Sequence, residues 1–217
     1  MTRNFLKMSS LAAVIAFTVS CKSNQNEVDA TDAETEAMAS DEAVTYNVDA
    51  AASTIEWIGS KPGTDHTGAI DVKDGLVFVN GETVEGGEFT IDMTSITVTD
   101  LDEEGAMNLK SHLEGTADGK QTDFFNTPEY PTAKFVITGL DGNTLQGNLT
   151  LKDVTKNVSF PVDVTYDGDK MMLTSEEFTI DRTDWGIKYG SANFTDIVAD
   201  KAISDDIILK VNLVATK

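Results

Sequence analysis

The clearest pattern along the chain is a strict alternation of apolar and polar residues between positions 143 and 164. Leu145, Gly147, Leu149 and Leu151 fall on one parity, and Gln146, Asn148, Thr150 and Lys152 on the other. After the polar pair Lys152-Asp153, a second run sets Val158, Phe160, Val162 and Val164 against Asn157, Ser159 and Asp163. Period-two alternation marks strands with one buried face. Two such runs joined by a few polar residues predict an antiparallel hairpin.

The rest of the chain extends this pattern. Short strands are predicted over 46–49 and 53–59, followed by a Gly-rich passage over 61–70. Residues 76–79 (LVFV) read as a short apolar strand, and Gly86-Gly87 as the turn into a strand with Phe89, Ile91 and Met93 on one face. A strand over 133–138 points Phe135 and Ile137 inward, and 170–182 carries Phe178 and Ile180 on one parity. The last strand sets Ile207, Leu209, Val211 and Leu213 against Ile208, Lys210 and Asn212. Residues 100–115 differ: Leu101, Met107, Leu109 and Leu113 suit a short, irregular helix, a flap over one end. Many short strands with Gly and Asp turns predict an all-β antiparallel barrel or sandwich. The barrel is favoured because closure removes exposed edges.

A chain of 217 residues holds one domain of this size. Lys plus Arg number 16 against 37 acidic residues, a net charge of −21, which excludes nucleic acid as a partner and opposes docking on an anionic membrane. The acidity reads most simply as a solubilising surface. The single cysteine, Cys21, forms no internal disulfide and no cysteine metal site.

Residues 1–20 read as an export signal. Arg3 and Lys7 precede a short apolar core, LAAVIAFTV, about half the ~20 residues a transmembrane helix needs. Ser20-Cys21 then resembles a bacterial lipoprotein processing site, although Thr18 stands where a leucine is usual. An ordinary secretory signal with a chance cysteine is the other reading. The expectation is an exported, lipid-anchored protein of the bacterial cell envelope, lipidated at Cys21. Residues 22–45 hold seven acids, one lysine and no aromatic residue. Such composition predicts a flexible, self-repelling tether from 21 to 45 that holds a folded domain, 46–217, off the membrane.

Three runs in this domain resemble the YceI-like family of exported polyisoprenoid-binding proteins: DFFNTPEYPTAKF from Asp123 to Phe135, GNLTLKDVTKNV from Gly147 to Val158, and FTIDRTDWGI from Phe178 to Ile187. Trp57-Ile58-Gly59-Ser60-Lys61 with His66-Thr67-Gly68 fits one branch of it. Asp153 stands where the family hairpin usually has glycine, and Asp tolerates a left-handed turn. The resemblance covers about 46–217 and implies a lipocalin-like antiparallel barrel of eight strands. It further implies an interior holding a long isoprenoid or quinone-like chain, with no other cofactor.

Arg182 shares the parity of Phe178 and Ile180, so its guanidinium is expected to face inward and to need a partner. Asp184, Glu56 and a ligand's polar head are the candidates. Trp57, Phe78, Phe89, Phe135, Phe160, Phe178 and Trp185 are the large side chains of the expected interior, filling a core or lining a cavity. His66 and His112, the only histidines, lack the spacing of a metal site and read as surface or loop residues. The sequons at Asn148, Asn157 and Asn193 are chance matches in a bacterial exported chain.

Three functions fit these features unequally. An enzyme is disfavoured: there is no G-x-S-x-G elbow, no cysteine nucleophile once Cys21 is lipidated, and no dense His/Asp cluster. A lipid carrier would hold its ligand by apolar burial at roughly 25 cal/mol per Å². An envelope interaction module with a filled core and no lipid is the alternative. A continuous tunnel distinguishes the carrier from the module, and pairing of two barrels into a homodimer is left open.

Overall fold

The computed structural model describes residues 27–217, and period-two runs become strands throughout them. The order is β1 (Thr31–Asp32), β2 (Val44–Val48), β3 (Thr54–Lys61), β4 (Thr64–Asn80), β5 (Thr83–Asp92) and β6 (Thr97–Val98). One α-helix, α1 (Glu103–Glu114), precedes β7 (Thr132–Asp141), β8 (Thr144–Leu151), β9 (Val154–Asp167), β10 (Lys170–Ser175), β11 (Phe178–Asp181) and β12 (Asp206–Thr216). Pairing passes from β12 through β2 and β3 to β4, then through β5, β7, β8, β9 and β10 back to β12, closing an antiparallel ring of 8 strand positions. In that ring β2 and β3 share one position along β12, and β10 and β11 share another. Residues 27–217 thus contain a closed ladder around one contiguous core, the organisation of a unit able to fold alone.

The opening hairpin forms as its alternation predicts. Leu145, Leu149, Leu151, Val158, Phe160 and Val162 are buried, and the turn is Lys152-Asp153 with φ of 48° and 64°. Two positive φ values in a two-residue loop are the mirror-image turn that matches strand twist, so Asp153 serves where glycine is usual. Lys152 Nζ donates to the Phe124 carbonyl at 2.6 Å, fastening this turn to the loop before β7. Burial lowers the pKa of this lysine.

Two turns lie elsewhere than expected. The Gly-rich passage and the LVFV run join in one strand, β4, because only Pro62-Gly63 breaks the ladder to β3. Gly86-Gly87 stays inside β5, beside a bulge at Glu85, with Gly87 at φ 152°, and the turn is Gly81-Glu82. A Cβ on Gly87 would lie 2.5 Å from the Leu76 carbonyl, so the two strands approach too closely there for any side chain.

The expected tether also differs in its described part. β9 pairs with β10 only from Val162 to Asp167, and β11 pairs with β12, which interrupts the ladder between β11 and the start of β9. Residues 27–32 lie in that seam: Val28 N–H donates to the Thr179 carbonyl at 2.9 Å, and Thr31 and Asp32 pair with Asn157 and Lys156. The strap continues over the outer wall. Asn148 accepts from Glu34 N–H at 2.9 Å and donates to the Glu34 carbonyl at 2.8 Å, and Ala37 N–H donates to the Ile137 carbonyl at 3.0 Å. Val28 and Ala30 turn inward while the acids stay in water, which is why composition alone suggested a free chain. The strap also buries Asn148 and Asn157 on a face expected to be solvated.

The helix forms where its caps place it. Asp102 accepts from Gly105 N–H at 2.9 Å, Glu103 and Glu104 fill the first turn, and Gly115 ends it at φ 75°. Lys110 Nζ donates to the carbonyls of Ile96 at 2.6 Å and Thr94 at 3.1 Å, holding α1 across one end of the barrel.

Candidate functional site

The two ends of the barrel enclose a cavity unequally. At one end Val77, Val79 and Met171 are at most 1% exposed and pack solidly. From there to the end covered by α1 runs a cavity of about 350 Å³. Its wall includes Ile55, Trp57, Ile70, Val72, Phe89, Ile91, Phe135, Leu145, Leu149, Phe160 and Phe178, with Leu209 and Val211 from β12. The β12 wall from Ile207 to Leu213 extends about 20 Å at ~3.3 Å per residue, so the space is long and narrow. Ile207, Leu209 and Val211 are only partly buried although they point inward, because they border empty space.

Aromatic pairs shape the wall. Phe160 stacks on Phe178 with ring centroids 4.0 Å apart, and Phe135 lies between Phe160 at 5.8 Å and Phe89 at 6.0 Å. Gly147 makes room for Phe135, whose ring would sit 2.1 Å from a Cβ there. Gly68 does the same for the Trp57 indole at 2.7 Å. Trp57 Nε1 is buried with no hydrogen-bond partner among the described residues.

The open end, or mouth, carries the polar groups. Lys61, His66, His112, Arg182, Tyr189, Ser204 and Asp206 line it. Arg182 is 1% exposed. Its Nε donates to the Ser204 carbonyl at 2.9 Å, Nη1 to the Ile187 carbonyl at 2.6 Å, and Nη2 to the Ile203 carbonyl at 3.3 Å and Asp205 Oδ1 at 3.2 Å. Burial lowers the Arg182 pKa, opposed by the charges of Asp205 and Asp181. A guanidinium stays charged under such a shift, so the four bonds pin the 186–205 segment to the barrel. His66 Nδ1 lies 2.9 Å from Asp100 Oδ2, and His112 Nε2 lies 2.8 Å from Asp123 Oδ2. The His112 ring packs edge-on against Phe124 and Tyr189, each at 5.1 Å.

Trp57, Phe89, Phe135 and Phe178 therefore reach one cavity, with Phe160. Phe78 does not: Val77 and Val79 take the inward positions of that apolar run, and Phe78 lies half-buried outside, beside Gly86. Four consecutive apolar residues carry no parity signal. Trp185 is buried but off the cavity, donating Nε1–H to the Leu149 carbonyl at 3.0 Å. β11 ends at Asp181, which caps a 3-10 turn over Arg182–Trp185 and ends the strand parity there. Arg182 consequently pairs with Asp205, neither Asp184 nor Glu56. The Asp184 carboxyl is pushed up by burial and by Asp181, opposite to what a guanidinium partner would do. The sequence gives no signal for Asp205, which lies in an irregular segment. Both histidines are partly exposed at the mouth, each paired with an aspartate.

A model of the YceI-like domain matches residues 46–215. Among solved structures, BcnA from Burkholderia cenocepacia aligns with a TM-score of 0.60 and 24% identity, covering 78% of this chain and 99% of that one. A polyisoprenoid binding domain from Saccharophagus degradans, implicated in plant cell wall breakdown, aligns at 0.56 and 17% identity, covering 79% and 97%. No curated protein sequence matches. At these identities the two structures establish the fold.

Proposed function

The chain belongs to the YceI-like domain family, and from that premise we propose that it binds a long isoprenoid or similar amphiphilic lipid, for transport or storage in the bacterial cell envelope. The observation that carries this reading is the shape and lining of the cavity: narrow, apolar along its length, closed at one end and polar at the other. Its volume falls within the roughly 300–1,000 Å³ of small-molecule pockets. A thin hydrocarbon chain fills such a space, leaving a polar head among Lys61, His66 and Tyr189. The polyisoprenoid named for the Saccharophagus degradans domain is a ligand of this class. A packed core would have favoured the interaction module.

The chain acts by binding alone. Trp57, Phe89, Phe135, Phe160 and Phe178 supply the apolar wall, and Arg182 organises the mouth without needing to touch the ligand. Cys21 and the export signal lie outside the described residues; lipidation there would add a membrane anchor. Native mass spectrometry with organic extraction, on residues 27–217 purified from the native host, is expected to return one isoprenoid per barrel. An empty barrel that also refuses added isoprenoids would overturn the reading.

A further inference from the structure

Among the described residues, the exposed large apolar side chains concentrate in two segments of the chain. Leu101, Met107, Tyr189, Phe194 and Val198 are 36–59% exposed, and all belong to the two segments that surround the mouth, 93–131 and 182–205. Met38, Val44 and Met172 lie singly on the strap and the outer wall. The two mouth segments meet, since Tyr189 packs against His112 at 5.1 Å and Phe124 at 5.4 Å. Two lysines stand over the rim aromatics: Lys188 Nζ is 4.3 Å from the Phe194 ring centre and Lys120 Nζ is 5.0 Å from that of Tyr189. Apolar tips beside a tyrosine hydroxyl and lysine ammonium groups match a bilayer interface.

The course of the chain points to the same occupant. Glu27 bridges to Thr179, near the mouth end of β11. Five residues lie between Cys21 and Glu27, a span of at most about 20 Å fully extended. With Cys21 lipidated, Glu27, which sits in the mouth half of the barrel, would lie within that distance of the membrane. Charge selects the kind of bilayer. The net charge is −21, and Glu103, Glu104, Asp196 and Asp200 stand among the rim residues, so an anionic surface would repel it.

We propose that this rim docks the barrel mouth-first on a zwitterionic lipid bilayer, so that cargo passes between bilayer and cavity without crossing water. The proposal rests on the carrier reading for its purpose, and its tests separate the two. In residues 27–217, Phe194→Trp is expected to lose the added tryptophan's emission on phosphatidylcholine vesicles with brominated acyl chains. Met172→Trp on the outer wall is expected to lose none, and the unsubstituted protein corrects for Trp57 and Trp185. Equal emission of Phe194→Trp on brominated and plain vesicles overturns the docking. The double variant Phe194→Asp/Val198→Asp is expected to take up an isoprenoid alcohol from phosphatidylcholine vesicles roughly tenfold more slowly, yet to fill normally from ethanol. Equal rates from vesicles overturn it as well. A parent that never fills, even from ethanol, removes the carrier reading while the quenching still decides the docking. A dimer that the double variant splits, with no quenching, gives the rim to a second copy and overturns the proposal.

Discussion

At the closed end the strands turn back on two residues each, Gly81-Glu82, Gly142-Asn143 and Gly168-Asp169, whereas at the mouth two such turns, Pro62-Gly63 and Lys152-Asp153, stand beside two long excursions, 93–131 and 182–205. Tight turns bring neighbouring strands together, and Val77, Val79, Ile137 and Met171 fill the space between them. The excursions do the opposite. They carry the chain over the opening, satisfy its polar groups through Arg182, His66 and His112, and leave the interior below unfilled. One sequence thus builds a packed core and a vacancy in the same ring of strands, and stability and binding are expected to separate along the barrel axis.

Substitutions at matched positions test that separation. The largest loss is expected for Arg182→Ala, which leaves three carbonyls unpaired in a buried site and leaves Asp205 with only Ser191 and Asn193 as donors, about 3–5 kcal/mol by denaturant unfolding. Arg182→Lys should recover little, since an ammonium cannot span the same acceptors. Next comes Met171→Ala at the closed end, at ~2–5 kcal/mol because its surroundings cannot collapse. The equivalent truncation in the cavity wall, Leu209→Ala, should cost less than about 1.5 kcal/mol, since it borders space already empty. Equal losses at Met171 and Leu209 would break the comparison. Asn148→Ala should cost ~1–3 kcal/mol by freeing the strap's polar groups, with hydrogen exchange rising over 28–37.

The smallest effect is at Asp184. Its folded pKa is raised above its ordinary value, by burial first and by Asp181 second, so the ionised form opposes folding. That cost is absent below the ordinary carboxylate range and appears as pH rises through the raised folded value. Asp184→Asn is expected to stabilise the protein at pH ~7, by less than about 1 kcal/mol after solvent screening, and to change nothing at pH ~3. No gain at neutral pH would indicate that the carboxyl is solvated.

Much of the barrel is legible in the chain because one buried face imposes a period of two. Leu145 to Leu151, Val158 to Val162 and Ile207 to Leu213 show it plainly, and the interior positions of Trp57, Phe89, Phe135, Phe160 and Phe178 follow. What is illegible has no period. The uniform LVFV run misplaced Phe78, and the 3-10 turn at Arg182 ended an alternation that sequence carried onward. Asp205, the carboxylate that Arg182 meets, lies 23 residues away in a segment without pattern. The strap's backbone hydrogen bonds leave no trace in its acidic composition.

The most direct test fills the vacancy. Leu209→Trp would push an indole into the cavity with little effect on stability, while the closed end stays as it is. Titration of residues 27–217 with an isoprenoid alcohol, followed by native mass spectrometry, is expected to give one molecule per barrel in the parent and none in Leu209→Trp. Equal uptake by both would mean that the ligand lies elsewhere and would contradict the assignment of the cavity.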